Sequence, residues 1–302
     1  MTRRLLALST AAALLSVGPA TALLPTAQAD TRAAGTTASS PSMADQLGRL
    51  ERAHGARIGV LVLDTGTGRV AQYRGDERFA YASTIKALAA GAVLDRLDRR
   101  GLQRRVHWDA DEVVSNSPVT SQHVEDGLTI RQLIEAAITV SDNTAGNLLF
   151  ELVGGPSGLQ RELRRLGDRT TSVDRWEPEL NTAVPGDRRD TTTPRALVAS
   201  FRAYLLGDVL PRADRQLLRH DLDAAQTGLG LVRAGVPRTW RVGDKSGSAE
   251  YGSRNDVALV RPPGRAPLVI AVMTTHDDPA AATDDSLVEA GTRAAVRDLA
   301  CP

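Results

Sequence analysis

Several kinds of residue are scarce in this 302-residue chain, and each scarcity excludes something. A single cysteine, Cys301, rules out an internal disulfide, so packing must hold the fold together. Aromatic residues make up 3% of the chain and the formal net charge is +1, which together argue against a nucleic-acid partner. The five histidines are scattered without the spacing of metal ligands. We therefore expect no metal and no cofactor.

Lysine is also scarce, because all but two of the 37 basic residues are arginine. The exceptions are Lys86 and Lys245. Arginine cannot lose its proton near neutral pH, and its guanidinium is larger than an ammonium. The two lysines are therefore candidates for sites that need a compact or deprotonatable amine.

Long apolar runs are also missing, since the stretch from Leu5 to about Val17 is shorter than the roughly 20 residues of a membrane span. It follows a basic start and precedes small residues that end in Ala27-Gln28-Ala29. This is the pattern of an export signal peptide. The paired arginines near the start leave both a Sec and a twin-arginine route open.

These features predict three segments. We expect residues 1–29 to be a signal peptide and residues 30–42 to be a flexible leader, because they lack large apolar side chains. Residues 43–302 should form the folded domain. The mature protein should be secreted or periplasmic, without a membrane contact, and monomeric.

Apolar spacing predicts a sheet whose strands are divided along the sequence. The two early strands and three late ones are Arg57–Asp64, Arg69–Tyr73, Trp240–Lys245, Asp256–Arg261 and Leu268–Thr274. From Ser83 to about His220 the spacing is mostly helical, and helices at Met43–His54 and Leu287–Leu299 begin and end the domain.

The predicted fold class is α/β plus all-α. An antiparallel five-stranded sheet should be flanked by helices, with a large helical lobe inserted between the early and late strands. The α/β lobe should take about 43–72 and 222–302, and the helical lobe about 73–221. A cleft between such lobes is a usual place for a site.

The segment Ser83-Thr84-Ile85-Lys86 lies where a helix is predicted to begin. Residues three apart share a helix face, so the lysine amine should lie close to the serine hydroxyl. Backbone N–H groups at a helix start favour negative charge, which suits a serine nucleophile whose intermediate carries an oxyanion. Taken alone, however, this spacing is a weak signal.

Two further segments also have ordinary structural interpretations when each is taken alone. Ser141-Asp142-Asn143 follows an apolar run and is typical of a helix N-cap. Lys245-Ser246-Gly247 is predicted to end a strand, where a small residue often marks the close approach of a ligand.

The three segments in this order, S-x-x-K, S-D-N and K-[ST]-G, resemble those of the penicillin-recognising serine enzymes. A fourth segment, from Arg175 through Trp176-Glu177-Pro178-Glu179-Leu180-Asn181 to Asp190, resembles the Ω-loop of class A β-lactamases. The resemblance covers the chain from about Ser42 to the C-terminus.

This resemblance implies hydrolysis of the β-lactam amide of penicillins, and so β-lactam resistance; the Ser248 hydroxyl extends the expectation to cephalosporins. Ser83 should form an acyl-enzyme, with either Lys86 or Glu177 as the base, and Ser141 should relay a proton to the ring nitrogen. Glu177 should then activate the hydrolytic water. The expected substrate- and water-binding residues are Asn143, Asn181, Lys245, Ser246, Gly247, Ser248 and Arg254.

The resemblance also implies how the Ω-loop is held. Arg175 should pair with Asp190, the Glu177–Pro178 bond should be cis, and Trp176 and Leu180 should anchor the loop.

Two other functions share the three short motifs. A penicillin-sensitive peptidase acting on D-Ala-D-Ala peptides would lack Glu177 and its loop. A non-hydrolytic β-lactam sensor would stay acylated and would usually be tethered to a membrane.

Overall fold

A computed structural model describes residues 42–300 of the chain. The predicted signal peptide, the leader up to residue 41 and Cys301 lie outside the described residues. The described residues belong to one compact unit.

Five long strands form the main sheet, and four short strands form two small ribbons. In chain order the strands are β1 (Ala56–Asp64), β2 (Val70–Tyr73), β3 (Phe79–Ala80), β4 (Arg105–Val106), β5 (Leu128–Thr129), β6 (Thr191–Thr192), β7 (Arg241–Ala249), β8 (Ser253–Arg261) and β9 (Leu268–His276). The main sheet is antiparallel, in the order β2-β1-β9-β8-β7. The predicted division into two early and three late strands is confirmed.

Ten helices accompany these strands within the described residues. They are α1 (Met43–His54), α2 (Ile85–Arg96), α3 (Arg99–Leu102), α4 (Ile130–Thr139), α5 (Asn143–Val153), α6 (Gly155–Arg165), α7 (Pro194–Leu206), α8 (Arg212–Asp223), α9 (Val232–Gly235) and α10 (Asp285–Ala300). Eight of them, α2 to α9, come between β2 and β7, as the predicted helical insertion requires.

Both faces of the main sheet are buried. Alternate side chains of each strand point to opposite sides, and each face carries apolar residues that helices cover. Ile58, Val60 and Val62 of β1 belong to one apolar cluster, which the terminal helices α1 and α10 cover. Leu61 belongs to a second cluster, on the side of α7 and the inserted helices.

Helix α2 runs through the middle of the second cluster. Every residue from Ile85 to Leu94 is buried, and a helix that is apolar all round belongs in a core. Small side chains such as Ala89 and Ala90 let neighbouring helices pack closely around it. Ser83 lies just before this buried helix and Lys86 lies in its first turn, so the packed core holds both residues in place.

Strand β7 corrects one prediction, because it does not end at Lys245-Ser246-Gly247 but continues to Ala249. Its last residues pair with the beginning of β8, from Ala249 opposite Ser253 to Lys245 opposite Val257. Tyr251 and Gly252, both at φ 56°, make the turn between the two strands. The end of β7 reads Ser246-Gly247-Ser248-Ala249, a run of small residues without large apolar side chains, so apolar spacing could not detect this part of the hairpin.

Candidate active site

Ser83 lies in a short 3₁₀ turn, Ala82–Thr84, that leads directly into α2. The Thr84 hydroxyl donates to the Tyr81 carbonyl at 2.7 Å, and Ala82 adopts a left-handed φ of 49°. The serine hydroxyl lies within hydrogen-bonding distance of Lys86 and Glu177, and only 8% of the residue is exposed.

Gly247 brings strand β7 against this turn. A Cβ at this position would lie 3.0 Å from the Ala82 Cβ and 3.1 Å from the Ser83 backbone nitrogen. A larger residue would push the strand away, so the glycine fixes the spacing between the backbone of β7 and Ser83.

Lys86 is fully buried below Ser83, and its amine lies among oxygen atoms. Its Nζ is 3.0 Å from Ser83 Oγ and 3.0 Å from Glu177 Oε1. It also contacts the Ser141 carbonyl at 2.8 Å and Asn143 Oδ1 at 2.5 Å. Burial lowers the pKa of this amine, against the opposing effect of the Glu177 carboxylate.

Ser141-Asp142-Asn143 combines a structural and a site role, divided by residue. Asp142 is the N-cap of α5, where its side chain accepts from the Ala145 N–H, so the N-cap interpretation is confirmed for this residue. Ser141, at φ 61°, and Asn143 instead reach the lysines. Both ends of the Asn143 amide are engaged, because its Nδ2 donates to the Ser115 carbonyl at 2.8 Å.

Glu177 faces the serine and lysine from the loop between α6 and α7. Its Oε1 accepts from Ser83 Oγ at 3.3 Å, and its Oε2 accepts from Asn181 Nδ2. The side chain of Asn147 holds the Glu177 backbone at both ends, accepting from its N–H and donating to its carbonyl at 2.9 Å each. Asn147 was missed at the sequence level, although it follows Asn143 by one helical turn.

Asn181 has a buried amide oxygen, Oδ1, that accepts no hydrogen bond from the residues described. Its Nδ2 donates to Glu177, so the free oxygen lies beside that carboxylate. A buried polar atom without a partner is uncommon in a native fold. This oxygen can accept a hydrogen bond from a small molecule held next to Glu177.

The loop carrying Glu177 is closed by Arg175 and Asp190, whose Nε and Oδ2 are 2.5 Å apart, as expected. Tyr81 also donates to Asp190 at 2.8 Å. The Glu177–Pro178 bond is cis. Leu180 is fully buried, whereas Trp176, expected as a second anchor, is 38% exposed and packs at a tilt against Phe150, with 6.0 Å between the ring centroids.

Lys245 approaches Ser141 from strand β7, whereas Lys86 approaches it from helix α2. The Lys245 Nζ donates to Ser141 Oγ at 3.0 Å and to the Ser246 carbonyl at 2.8 Å. Burial, followed by the charge of Lys86, lowers the pKa of this fully buried amine to about 7.

Arg254 lies near the end of the sheet with an acidic partner that was not predicted. Its Nε is 2.6 Å from Asp285 Oδ1, its Nη1 donates to Ser248 Oγ at 2.9 Å, and its Nη2 donates to the Thr227 carbonyl at 3.1 Å. The Thr227 hydroxyl accepts from Ser246 Oγ at 2.7 Å. Asp285 and Thr227 stand alone in sequence, without a motif that would single them out.

A cavity of about 790 Å³ opens above these residues. Of the predicted site residues, those that line it are Ser83, Ser141, Asn143, Asn181, Ser246, Gly247, Ser248 and Arg254. Lys86, Lys245 and Glu177 are not among the lining residues but lie beneath it, within hydrogen-bonding distance of Ser83 or Ser141. The structure thus brings all eleven predicted residues to one place, in two layers.

Within residues 42–300 no group of three His, Cys, Asp or Glu side chains has the arrangement of a metal site. In the same residues no helix combines the length and the apolar composition needed to cross a membrane.

Comparison with known proteins gives consistent matches. The β-lactamase enzyme family matches residues 42–298. A β-lactamase of Amycolatopsis lactamdurans is 51% identical over 86% of this chain and 86% of its own length. β-Lactamase AST-1 of Nocardia asteroides is 52% identical over 83% of this chain and 81% of its own length. The crystal structure of the class A β-lactamase from Clostridium kluyveri, 42% identical, superposes with a TM-score of 0.84 over 85% of this chain and 98% of that one.

The sheet order, the helical insertion and the serine bonded to a buried lysine are those of a serine hydrolase. The matches extend over both parts of the fold and over all four sequence motifs. The chain belongs to the β-lactamase enzyme family, as a member of class A.

Proposed function

We propose that this enzyme hydrolyses the β-lactam amide of penicillins and cephalosporins through an acyl-enzyme on Ser83, and so confers resistance to these drugs. The observation that carries the proposal is the position of Glu177, whose Oε1 is 3.3 Å from Ser83 Oγ and 3.0 Å from Lys86 Nζ. A carboxylate this close to the nucleophile can serve the ester hydrolysis that separates a hydrolase from a protein that merely acylates.

The first half of the reaction forms the ester. Ser83 Oγ attacks the ring carbonyl while its proton passes to Lys86 directly or to Glu177, and either acceptor is compatible with the distances. Backbone N–H groups of Ser83 and Ser248 would hold the oxyanion, and one such donor is typically worth about 3 kcal/mol. The ring C–N bond then breaks, and Ser141 delivers a proton to the departing nitrogen.

The second half hydrolyses the ester. Glu177 takes a proton from a water that attacks the acyl carbon, and the ester oxygen returns to Ser83 as the free hydroxyl. The partnerless Oδ1 of Asn181, next to Glu177 Oε2, supports a role in orienting that water.

Substrate binding is proposed for the residues that line the cavity. Arg254 and Ser246 would contact the drug carboxylate, with Lys245 adding positive charge from below, and Asn143 would contact the side-chain amide. Gly247 would keep strand β7 close enough to Ser83 for Ser248 to reach the carbonyl.

The same proposal covers processing. We propose removal of residues 1–29 on export to the periplasm or the outside of the cell, by a Sec or twin-arginine route. The mature domain, with the lobe boundaries given above, would act as a monomer.

Turnover of a chromogenic cephalosporin by the purified mature chain tests the function, with Ser83→Ala as control. Many turnovers per molecule, lost in the variant, are expected. A single stoichiometric acylation would indicate a sensor instead. Cleavage of a D-Ala-D-Ala peptide without β-lactam turnover would indicate a peptidase.

A further inference from the structure

Two aspartates are buried behind the hairpin that carries Lys245. Asp244 on β7 and Asp256 on β8 are both fully buried. Asp256 lies opposite Ser246, two residues after Asp244, so the two carboxyls are diagonal neighbours on the same face of the sheet. Side chains alternate along a strand, which places both on the opposite face to Lys245.

Each carboxyl has one oxygen with a partner and one without. Asp244 Oδ1 is 2.6 Å from Arg233 Nη2, and Asp256 Oδ2 accepts from the Val232 N–H at 3.1 Å. Asp244 Oδ2 and Asp256 Oδ1 accept from no donor in the described residues. Because Val232 and Arg233 are consecutive, both carboxyls meet the same turn of chain.

Two ionised carboxylates cannot lie side by side in a buried site without severe repulsion. A single proton shared between them would remove the repulsion and would give both of these oxygens a hydrogen bond. We propose that Asp256 is a neutral acid at neutral pH, that its Oδ1–H donates to Asp244 Oδ2, and that the pair therefore carries one negative charge.

The surroundings decide which residue holds the proton. Asp244 contacts a guanidinium, which favours its ionised form, whereas Asp256 receives only one backbone N–H. Burial and then the charge of Asp244 raise the pKa of Asp256 well above its usual range. The other charged groups that act on the pair are Lys245, Arg254 and Asp223.

The shared proton sets the charge that Lys245 experiences from behind the sheet. The Lys245 amine faces Lys86 from α2 and Glu177 from the loop, with Asp244 and Asp256 as the remaining charges. With Asp256 neutral, only one of the two aspartates stabilises the ammonium form of Lys245. This consequence rests on the proposed function, whereas the shared proton does not.

Infrared spectroscopy tests the proton directly. The difference spectrum between wild type and Asp256→Asn at neutral pH should show the loss of one protonated-carboxyl C=O band. Asn is the matched replacement, since its amide can donate to Asp244 and accept from Val232 as the neutral acid does. Asp168→Asn is the control and should lose no such band, because Asp168 is also buried but accepts from the Thr170 and Thr171 N–H groups. No band lost with Asp256→Asn would overturn the proposal.

Unfolding gives a second measurement. A folded acid with a raised pKa loses its proton on unfolding, because the unfolded aspartate has a pKa of about 3.9. Wild type should therefore release one more proton per molecule than Asp256→Asn on unfolding at neutral pH, and its stability should fall more steeply as pH rises. Equal proton release would contradict the proposal.

If Asp256→Asn fails to fold, carbon NMR of wild type labelled at the aspartate carboxyl carbons replaces both comparisons. One resonance at the protonated position at neutral pH is expected, and ionised positions for all buried aspartates would overturn the proposal.

The kinetic consequence is tested by the alkaline decline of kcat/KM on a penicillin. Asp256→Asn removes no charge and should leave the pH of this decline unchanged. Asp244→Asn removes a negative charge and should move the decline to lower pH. A shift caused by Asp256→Asn would show that Asp256 is ionised. Failure of the proposed function would remove the decline altogether but leave the infrared result standing.

Discussion

Lys86 and Lys245 both donate to the Ser141 hydroxyl and are both fully buried, yet they meet different neighbours. Lys86 contacts a carboxylate and the nucleophile at 3.0 Å each. Lys245 contacts a hydroxyl and a carbonyl, and the carboxylates that stabilise its charge act without touching its amine. One lysine is thus arranged to exchange protons, and the other to supply charge.

The first prediction breaks this contrast at Lys86. Lys86→Arg should slow acylation by about 10²- to 10⁴-fold, the usual contribution of a general base, because a guanidinium cannot accept the Ser83 proton. Stopped-flow measurement of the acylation step on benzylpenicillin checks this. Lys245→Arg is the matched control, and equal damage from both changes would refute the division of roles.

The second prediction concerns the loop that supplies the carboxylate beside Lys86. Arg175→Ser leaves Asp190 buried without its cation, and breaking such a pair typically costs about 3–5 kcal/mol. We expect kcat to fall by roughly tenfold or more, since about 1.4 kcal/mol of lost positioning is tenfold in rate. Limited proteolysis should cut within residues 175–190.

Arg189→Ser in the same loop is the control, because Arg189 is exposed and its ion pair within residues 42–300 is with Asp187. It should behave as wild type. Normal kinetics and protease resistance in Arg175→Ser would show that the ion pair does not hold the loop.

The third prediction concerns Lys245 itself. Lys245→Arg keeps the positive charge and should raise KM by roughly tenfold or less, the scale of one weakened charge-assisted hydrogen bond of about 1.5 kcal/mol. Steady-state kinetics on benzylpenicillin measure the change. A loss of kcat as large as that in Lys86→Arg would mean that Lys245 takes part in proton transfer.

The smallest effect is on pH dependence. The Lys245 amine is charged below its pKa of about 7 and neutral above it, so wild-type kcat/KM should decline as pH rises through that value. In Lys245→Arg the guanidinium stays charged, and this decline should disappear. The pH profiles of the two proteins give the answer, and the same decline in both would exclude Lys245 as its source.

The division of the sheet and the helical insertion could be predicted from the sequence, because apolar periodicity carries that information. The site residues could be predicted because four short segments resemble those of a known family. The end of β7 could not be predicted, because the small residues from Ser246 to Ala249 give no periodic apolar signal. Its extension to Ala249 depends on pairing with β8.

Partners that stand alone in sequence were also out of reach. Asp285 follows Arg254 by 31 residues and belongs to another element, so only the fold brings them together. Asn147 lies one helical turn after Asn143 in α5, so a search of that helix face could have found it.

The direct test of the account is whether Glu177 is needed for hydrolysis of the ester more than for its formation. Glu177→Ala removes the carboxylate beside Ser83 and should slow deacylation by about 10²- to 10⁴-fold. Glu179→Ala, an exposed glutamate two residues along the same loop, is the control. Intact-protein mass spectrometry after brief mixing with benzylpenicillin should show Glu177→Ala carrying one whole drug molecule for minutes or longer, while wild type and control show little adduct. Turnover by Glu177→Ala at the wild-type rate would contradict the account.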